Sequence, residues 1–162
     1  MPSPRLDQGP TVDLLNTVWA DRSGVHDDLS GETDALRELR DAVRVLAADR
    51  TDDPRPVAAG HQERVAAAVA TLNAAAAQAP GWPTLVDGRL EWTSSARGEA
   101  RRLGELAGEA VRFLADDPEL RACLAPGCVL YFVKDHPRRA WCSTSCGNRE
   151  RAARHYARRR AV

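Results

Sequence analysis

Four cysteines near the C-terminal end are the residues of this chain whose type and spacing could do chemistry. They follow the pattern Cys123-x4-Cys128-x13-Cys142-x3-Cys146, which is two close pairs joined by a connector long enough to fold back. Four thiolates in this arrangement can close a tetrahedron around a zinc ion. Because they fill that shell, the spacing predicts a structural metal site rather than catalytic zinc, which needs an open position.

The cysteine spacing leaves other uses of the four thiols open. A redox pair usually has C-x-x-C spacing, which neither pair shows, and iron also accepts four sulfur ligands. The first ten residues lack the basic-then-apolar pattern of a signal peptide, and no apolar run approaches the roughly 18 residues of a membrane span. We therefore expect a cytoplasmic protein without a membrane partner, and in that compartment clustered cysteines favour a metal over disulfides.

The segments around the cysteines predict the elements that hold them. Hydrophobic residues alternate in the connector VLYFVKDHPRRAW, which predicts a β-hairpin with its turn near residues 134–138. His136 lies in that turn, where we expect solvent contact rather than metal ligation. Ser143 to Ser145 are helix-capping residues, so Cys146 is expected in the first turn of a helix. A knuckle, a hairpin and a helix together predict a treble-clef-like zinc unit.

The predicted C-terminal helix carries a basic face. At about 100° per residue, Arg149 falls on the same side as Tyr156, and we expect this inward side to brace the zinc unit together with Gly147 and Asn148. Outward arginines are typical of phosphate binding, because each neutralised phosphate releases counterions. The predicted nucleic-acid-binding residues are Lys134, Arg138, Arg139, Arg151, Arg154, Arg158 and Arg159.

The charge distribution points to an anionic partner for the C-terminal end. The net charge is zero, but residues 1–120 hold 13 arginines against 21 acidic residues, a balance of −8, and residues 121–162 have a balance of +8. We expect DNA or RNA as the partner. Docking to the acidic body or to another acidic protein, and a helix face that contacts only solvent, are the alternatives.

The preceding residues predict a helical body. Apolar spacing indicates helices over 10–19, 32–50, 61–79 and 95–115, a hairpin about Asp87-Gly88, and a short helix from Pro118 to the first cysteine. Thr33 is the expected cap of the second helix, and Val65, Val69 and Leu72 mark the face of the third. The chain has no GxSxG, HExxH, P-loop or GxGxxG motif, so we do not expect an enzyme.

Two stretches resemble known families. CLAPGC, VLYFVKD and WCSTSCGNRERAARHYARR, within residues 120–160, closely resemble the CGNR-type zinc finger, which is named for the string at 146–149. VDLLNTVWADR at 12–22, with the helices after it, resembles the ABATE domain that commonly precedes this finger in bacterial proteins. The resemblance implies Zn²⁺ bound by the four cysteines and a stress-related transcription regulator whose finger binds nucleic acid.

The sequence thus predicts a mainly α protein with two parts. Residues 1–117 form an ABATE-like helical domain with a small β-hairpin, which senses a small-molecule ligand or forms a homodimer. Residues 118–162 form the zinc finger, which binds nucleic acid. The alternative function is a zinc-containing protein–protein adaptor that does not bind nucleic acid.

Overall fold

The computed structural model describes residues 6–55 and 61–160, and about half of the chain is helical. The helices and strands of these residues, in chain order, are α1 (Pro10–Leu15), β1 (Val18–Asp21), β2 (Gly24–Asp27), α2 (Asp34–Arg50), α3 (His61–Ala76), β3 (Gly81–Val86), β4 (Arg89–Ser94), α4 (Gly98–Ala115), β5 (Leu120–Ala122), β6 (Tyr131–Val133) and α5 (Thr144–Arg160). The strands form three two-stranded antiparallel sheets, β1–β2, β3–β4 and β5–β6. None of the described helices combines the length and hydrophobicity that crossing a bilayer requires.

Helices α2 and α4 follow the apolar spacing of the sequence. Thr33 caps α2 by accepting a hydrogen bond from the Leu36 backbone N–H at 3.4 Å, as predicted. Leu36, Leu39 and Val43 are buried, and Leu103 is buried on α4. These side chains meet α1 and α3 in one core, so the predicted helical body is confirmed.

Two of the three residues predicted to mark the packing face of α3 lie on it, because Leu72 is buried and Val65 is half-buried. Ala68, Leu72 and Ala75 are buried, whereas Val69 is 43% exposed. The predicted position of Val69 on this face is therefore wrong. Small alanine side chains pack there instead, since they let the backbones of neighbouring helices approach closely.

The hairpin of β3 and β4 turns at the predicted residues. Asp87 and Gly88 have φ values of 48° and 74°, the pair of positive angles that a two-residue hairpin turn requires. Leu85 pairs with Leu90, and Pro83 pairs with Trp92, so these four side chains share one face. That hairpin prediction is confirmed.

The predicted helix over 10–19 is too long. Helix α1 ends at Leu15, and residues 18–27 form the β1–β2 hairpin, where the sequence predicted no strand. The reason is tertiary. The Asn16 side chain bonds to β6, and the Trp19 indole N–H donates to Asp28 at 2.9 Å while its ring packs among the cysteines. These contacts outweigh a helical periodicity that is weak over so short a segment.

The region around the first cysteine pair also differs from the prediction. No helix starts at Pro118, because residues 120–122 form β5 and pair with β6. The hairpin therefore encloses Cys123 and Cys128, and the connector after them contributes β6 but no second strand of its own. Leu120 and Tyr131 are buried in the core of the helical body, which favours an extended strand at both positions.

Candidate metal centre and basic helix

The four cysteines form one buried cluster. Their Sγ atoms all lie within 4.8 Å of one another, with 3.8 Å between Cys128 and Cys142 and 3.4 Å between Cys142 and Cys146. A tetrahedral metal with metal–sulfur bonds of about 2.3 Å separates its sulfur ligands by about 3.8 Å. The donor set and its spacing therefore suit a tetrahedral metal ion.

Local backbone structure sets these positions. The Cys123 N–H donates to Leu130 O at 2.8 Å, and the Cys128 N–H donates to Ala125 O at 2.9 Å, which folds residues 123–130 into a tight loop. Gly127 has a φ of 72° in that loop, a conformation that side chains with a Cβ rarely adopt.

The second cysteine pair stands at the start of α5. The Ser143 hydroxyl accepts a hydrogen bond from the Cys146 N–H at 3.2 Å, as an N-cap residue does. This contact places Cys146 in the first turn, as the sequence predicted. Cys142 lies just before the helix, so both thiols of the pair reach the cluster.

The thiols of the cluster do not ionise independently. Hydrogen bonds from the Cys128 and Cys142 thiols hold the pKa of Cys123 well below its usual value. The same contacts to Cys123, reinforced by burial, raise the pKa of Cys128 and of Cys142. Four adjacent thiolates repel one another, and a bound divalent cation is the group that stabilises all four together.

Residues of the N-terminal part cover the cluster. Trp19 of β1 is buried against the cysteines with Leu130 and Phe132, and Leu6 and Trp141 pack at the edge. The His26 ring stacks on Trp19 with the centroids 4.1 Å apart. The sequence prediction missed this cover, since nothing in the local pattern around Trp19 links it to residues a hundred positions away.

Three residues after Cys146 were predicted to support the cluster, and two of them contact it or its surroundings. The Arg149 guanidinium donates to Cys146 Sγ at 2.9 Å, and this bond raises the pKa of the arginine. Gly147 is buried against Trp141, whose Cδ1 would lie 3.1 Å from a Cβ added at this position. Asn148 is exposed and accepts a hydrogen bond from Arg151, so its contact is to α5 itself.

Beyond its first turn, α5 projects from the rest of the structure. Of residues 148–160, only Glu150 and Ala153 are half-buried, and the others are exposed. Tyr156 is 66% exposed, so its predicted inward position beside Arg149 is wrong. At 1.5 Å per residue, the projecting part is about 20 Å long.

The seven predicted phosphate-binding residues differ in their surroundings. Lys134 pairs with Glu119 at 3.1 Å, and Arg139 pairs with Asp135 at 2.7 Å. Arg154 pairs with Glu150 at 3.0 Å, and Arg151 donates to Asn148. Of the seven, Arg138, Arg158 and Arg159 have side chains that make no hydrogen bond or ion pair within the described residues. The same is true of Arg160, which is not one of the seven.

Two amide side chains hold β6 against the helical body. Asn16 Nδ2 donates to Tyr131 O, and Asn16 Oδ1 accepts from the Tyr131 N–H, both at 2.9 Å. Gln8 makes the same pair of bonds to Val133, at 2.7 and 2.9 Å. The two amides bond the free edge of β6 as a neighbouring strand would, and α1 lies between them.

The Tyr131 side chain connects the two parts of the chain through contacts with charged residues. Its hydroxyl donates to Asp53 at 2.8 Å, and the guanidinium groups of Arg44 and Arg55 lie 5.3 and 5.1 Å from its ring centroid. Burial and the Asp53 bond raise the pKa of Tyr131 to about 12. The finger strand is thus fixed to the body by backbone, ring and hydroxyl contacts.

Comparison with known families gives two matches, and together they span most of the chain. A family named ABATE and described as "Putative stress-induced transcription regulator" matches residues 8–117. A family described as a CGNR zinc finger matches residues 119–159. No curated protein matches the chain. The two family matches confirm both resemblances drawn from the sequence.

Proposed function

Because the chain belongs to the ABATE family and carries a CGNR zinc finger, we propose that it is a transcription regulator that binds nucleic acid through α5. The observation that carries this proposal is the exposure of α5. The helix leaves the four-cysteine cluster with its arginines in solvent, on the part of the chain that has a balance of +8. A fixed, projecting basic helix can approach a phosphate backbone without rearrangement of the body.

The metal in this proposal is zinc, held by Cys123, Cys128, Cys142 and Cys146. Four thiolates complete a tetrahedral shell, so the metal would stabilise the fold rather than take part in a reaction. The finger would be treble-clef-like and comprise residues 118–162, with the helical domain over 1–117. Support comes from the knuckle loop, the β5–β6 hairpin and the start of α5, which meet at the cluster.

The unpartnered arginines are the proposed phosphate contacts. Arg138, Arg158 and Arg159 can bind phosphate without breaking an ion pair. Arg154 would first give up its exposed pair with Glu150, which costs only a few tenths of a kcal/mol. Lys134, Arg139 and Arg151 complete the proposed surface, although Arg139 also donates to Cys142 O at 3.2 Å and so buttresses the cluster.

A salt series with the full chain tests the nucleic-acid proposal. Binding to duplex DNA should weaken as salt rises, and Arg158→Glu should weaken it for every sequence and reduce the salt slope by about 1. Arg89→Glu, an exposed charge reversal on the β3–β4 hairpin, is the matched control and should leave binding within about twofold. No binding at low salt, or an equal loss in the control, would contradict the proposal.

Metal analysis tests the zinc assignment separately. The purified chain should hold one zinc ion, and Cys146→Ser should lose it. Iron in place of zinc, or a stoichiometry unchanged by the substitution, would show that the assignment is wrong.

A protein–protein adaptor is the second candidate, and the β3–β4 hairpin favours it. Leu85, Leu90 and Trp92 share one face of the hairpin and are all exposed, as is typical of surfaces that meet a partner. The same face could mediate the homodimer proposed for the N-terminal domain. Recovery of an acidic protein but no nucleic acid in a pull-down with the full chain would favour the adaptor.

We propose no catalytic activity. Asp21, Ser23 and His26 lie together on the β1–β2 hairpin, but the Ser23 and Asp21 oxygens both contact the same ring nitrogen, His26 Nε2, at 3.1 and 2.9 Å. A relay of the serine-hydrolase kind needs the serine and the carboxylate on different ring nitrogens. The contacts instead close the hairpin turn and position the ring that stacks on Trp19.

A further inference from the structure

A groove of about 850 Å³ opens in the N-terminal part, beside the β3–β4 hairpin. It is bounded by the start of α1, the end of α3, the base of the hairpin and one side of α4. Small-molecule sites in proteins usually have volumes of about 300–1,000 Å³. The groove is therefore large enough for an organic molecule of a few fused rings.

Apolar surface makes up most of the walls of the groove. Trp92 is 63% exposed, and its indole lies so close to Gly81 that a Cβ at that position would stand 2.4 Å from Nε1. Only glycine at residue 81 allows the ring to lie there. Ala76, Pro80 and Leu106 supply further apolar lining. The Trp92 Nε1 donates no hydrogen bond within the described residues, so one polar donor is available to a ligand.

Helix α4 leaves space on its side of the groove. At Gly108, an added Cβ would meet nothing closer than the flexible Arg112 guanidinium, at 3.9 Å. One turn earlier, Gly104 is closed, because an added Cβ would lie 2.2 Å from the Ala79 Cβ. The groove is therefore open over Gly108 and ends near Gly104.

The charged residues that line the groove are already paired. Arg102 pairs with Glu32 at 3.0 Å, and Glu105 pairs with Arg101 at 2.7 Å. The remaining two, Glu109 and Arg112, pair with each other. The two arginines and two glutamates of the lining balance one another, so the groove has no net charge that would attract an ionic ligand. The lining favours an uncharged ligand.

We propose that this groove binds an uncharged, planar aromatic molecule that stacks on Trp92. This inference rests on the proposed function in one respect, since it names the chemical class of the ligand that the proposed regulator would sense. Aromatic rings favour offset stacking on an exposed indole, and the free Nε1 can donate to a carbonyl or ring acceptor. The ligand would also contact Pro10, the first residue of α1. Gln8 and Asn16, which flank α1, bond to the finger strand β6.

Fluorescence titration with N-phenyl-1-naphthylamine tests the site. This probe is uncharged and carries a planar naphthalene ring system, and its emission rises in apolar surroundings. The full chain should bind it saturably with one site. Gly108→Leu should fill the groove without a backbone clash and weaken binding at least about tenfold, and Trp92→Ala should do the same. Trp82→Ala, on the opposite face of the same hairpin, should change the affinity less than about twofold.

The outcomes are distinguishable from those of the DNA assay. Absence of saturable binding, unchanged affinity in Gly108→Leu, or an equal loss in Trp82→Ala would overturn the proposal. Because Gly108→Leu replaces a helical glycine with a good helix former, it should melt no lower than the wild type. Its affinity for the probe therefore tests the proposed site even if Trp92→Ala fails to fold. DNA binding measured on the same samples bears on α5 alone, so either proposal can fail without the other.

Discussion

Replacement of Asn16 by alanine should separate the finger strand from the helical body. Asn16 is 2% exposed, and both the N–H and the C=O of its side-chain amide bond to the backbone of Tyr131, which is 3% exposed. The alanine variant leaves a buried N–H and a buried C=O without partners, each costing about 1–3 kcal/mol. The expected loss in the free energy of unfolding is therefore roughly 2–6 kcal/mol.

Two matched variants show whether the cost comes from these bonds. Gln8→Ala removes the equivalent pair of bonds at Val133, but those groups are only part-buried and can bond to water, so about 1 kcal/mol is expected. Asn16→Asp keeps the acceptor for the Tyr131 N–H and turns an oxygen toward Tyr131 O, so at neutral pH it should cost at least as much as alanine.

Urea unfolding of the metal-loaded chain is the measurement, with the m-value checked for two-state behaviour. Hydrogen exchange at the Tyr131 amide should accelerate in Asn16→Ala. A loss below about 0.5 kcal/mol, or equal losses for Asn16→Ala and Gln8→Ala, would refute the argument that buried amide pairing holds the two parts together.

Three further predictions concern separate features. Hydrogen bonds from the buried Arg40 on α2 lower the pKa of Asp27. The stability that this carboxylate contributes is therefore present above its unfolded pKa of about 3.9 and is lost as pH falls through the lower folded pKa. The Asp27 side chain is 35% exposed, so solvent screening reduces the cost of Asp27→Asn to roughly 1–2 kcal/mol by urea unfolding at pH 7, and a difference that persists at the lowest pH would refute this. Gly104→Ala should lower the melting temperature because its Cβ clashes with Ala79, in the turn that follows α3, whereas Gly108→Ala should raise it slightly; the reverse order would contradict the packing. Arg149→Ala should weaken metal binding about 10–100-fold in chelator competition, whereas Arg151→Ala should not, and equal effects would show that the bond to the cluster is unimportant.

Much of the helical framework followed from local sequence. The apolar spacing of α2 and α4 and the Asp87-Gly88 turn each act within a few residues, so pattern alone was sufficient. The same reasoning failed where a residue serves a distant partner. Trp19 was placed in a helix because it continued an apolar stripe, but it lies on a strand that covers the cysteines.

The basic helix shows both outcomes within one element. Angular spacing predicted that Arg149 lies on the inward side, and its guanidinium donates a hydrogen bond to Cys146 Sγ, one turn earlier on the helix. The same spacing put Tyr156 on the inward side, but no other element packs beside that part of α5 within the described residues. A face becomes inward only where something lies against it.

The sequence by itself determined that four thiols could gather, that a helix begins at the last pair, and that positive charge collects after it. Those properties depend on residue type, short spacing and local capping, which act over a few positions. Only the tertiary structure decided that Trp19 covers the cluster, that Asn16 and Gln8 act as the missing neighbour of β6, and that a groove opens beside Trp92. These features join residues far apart in the chain, and their positions depend on how whole elements pack, which no local pattern records.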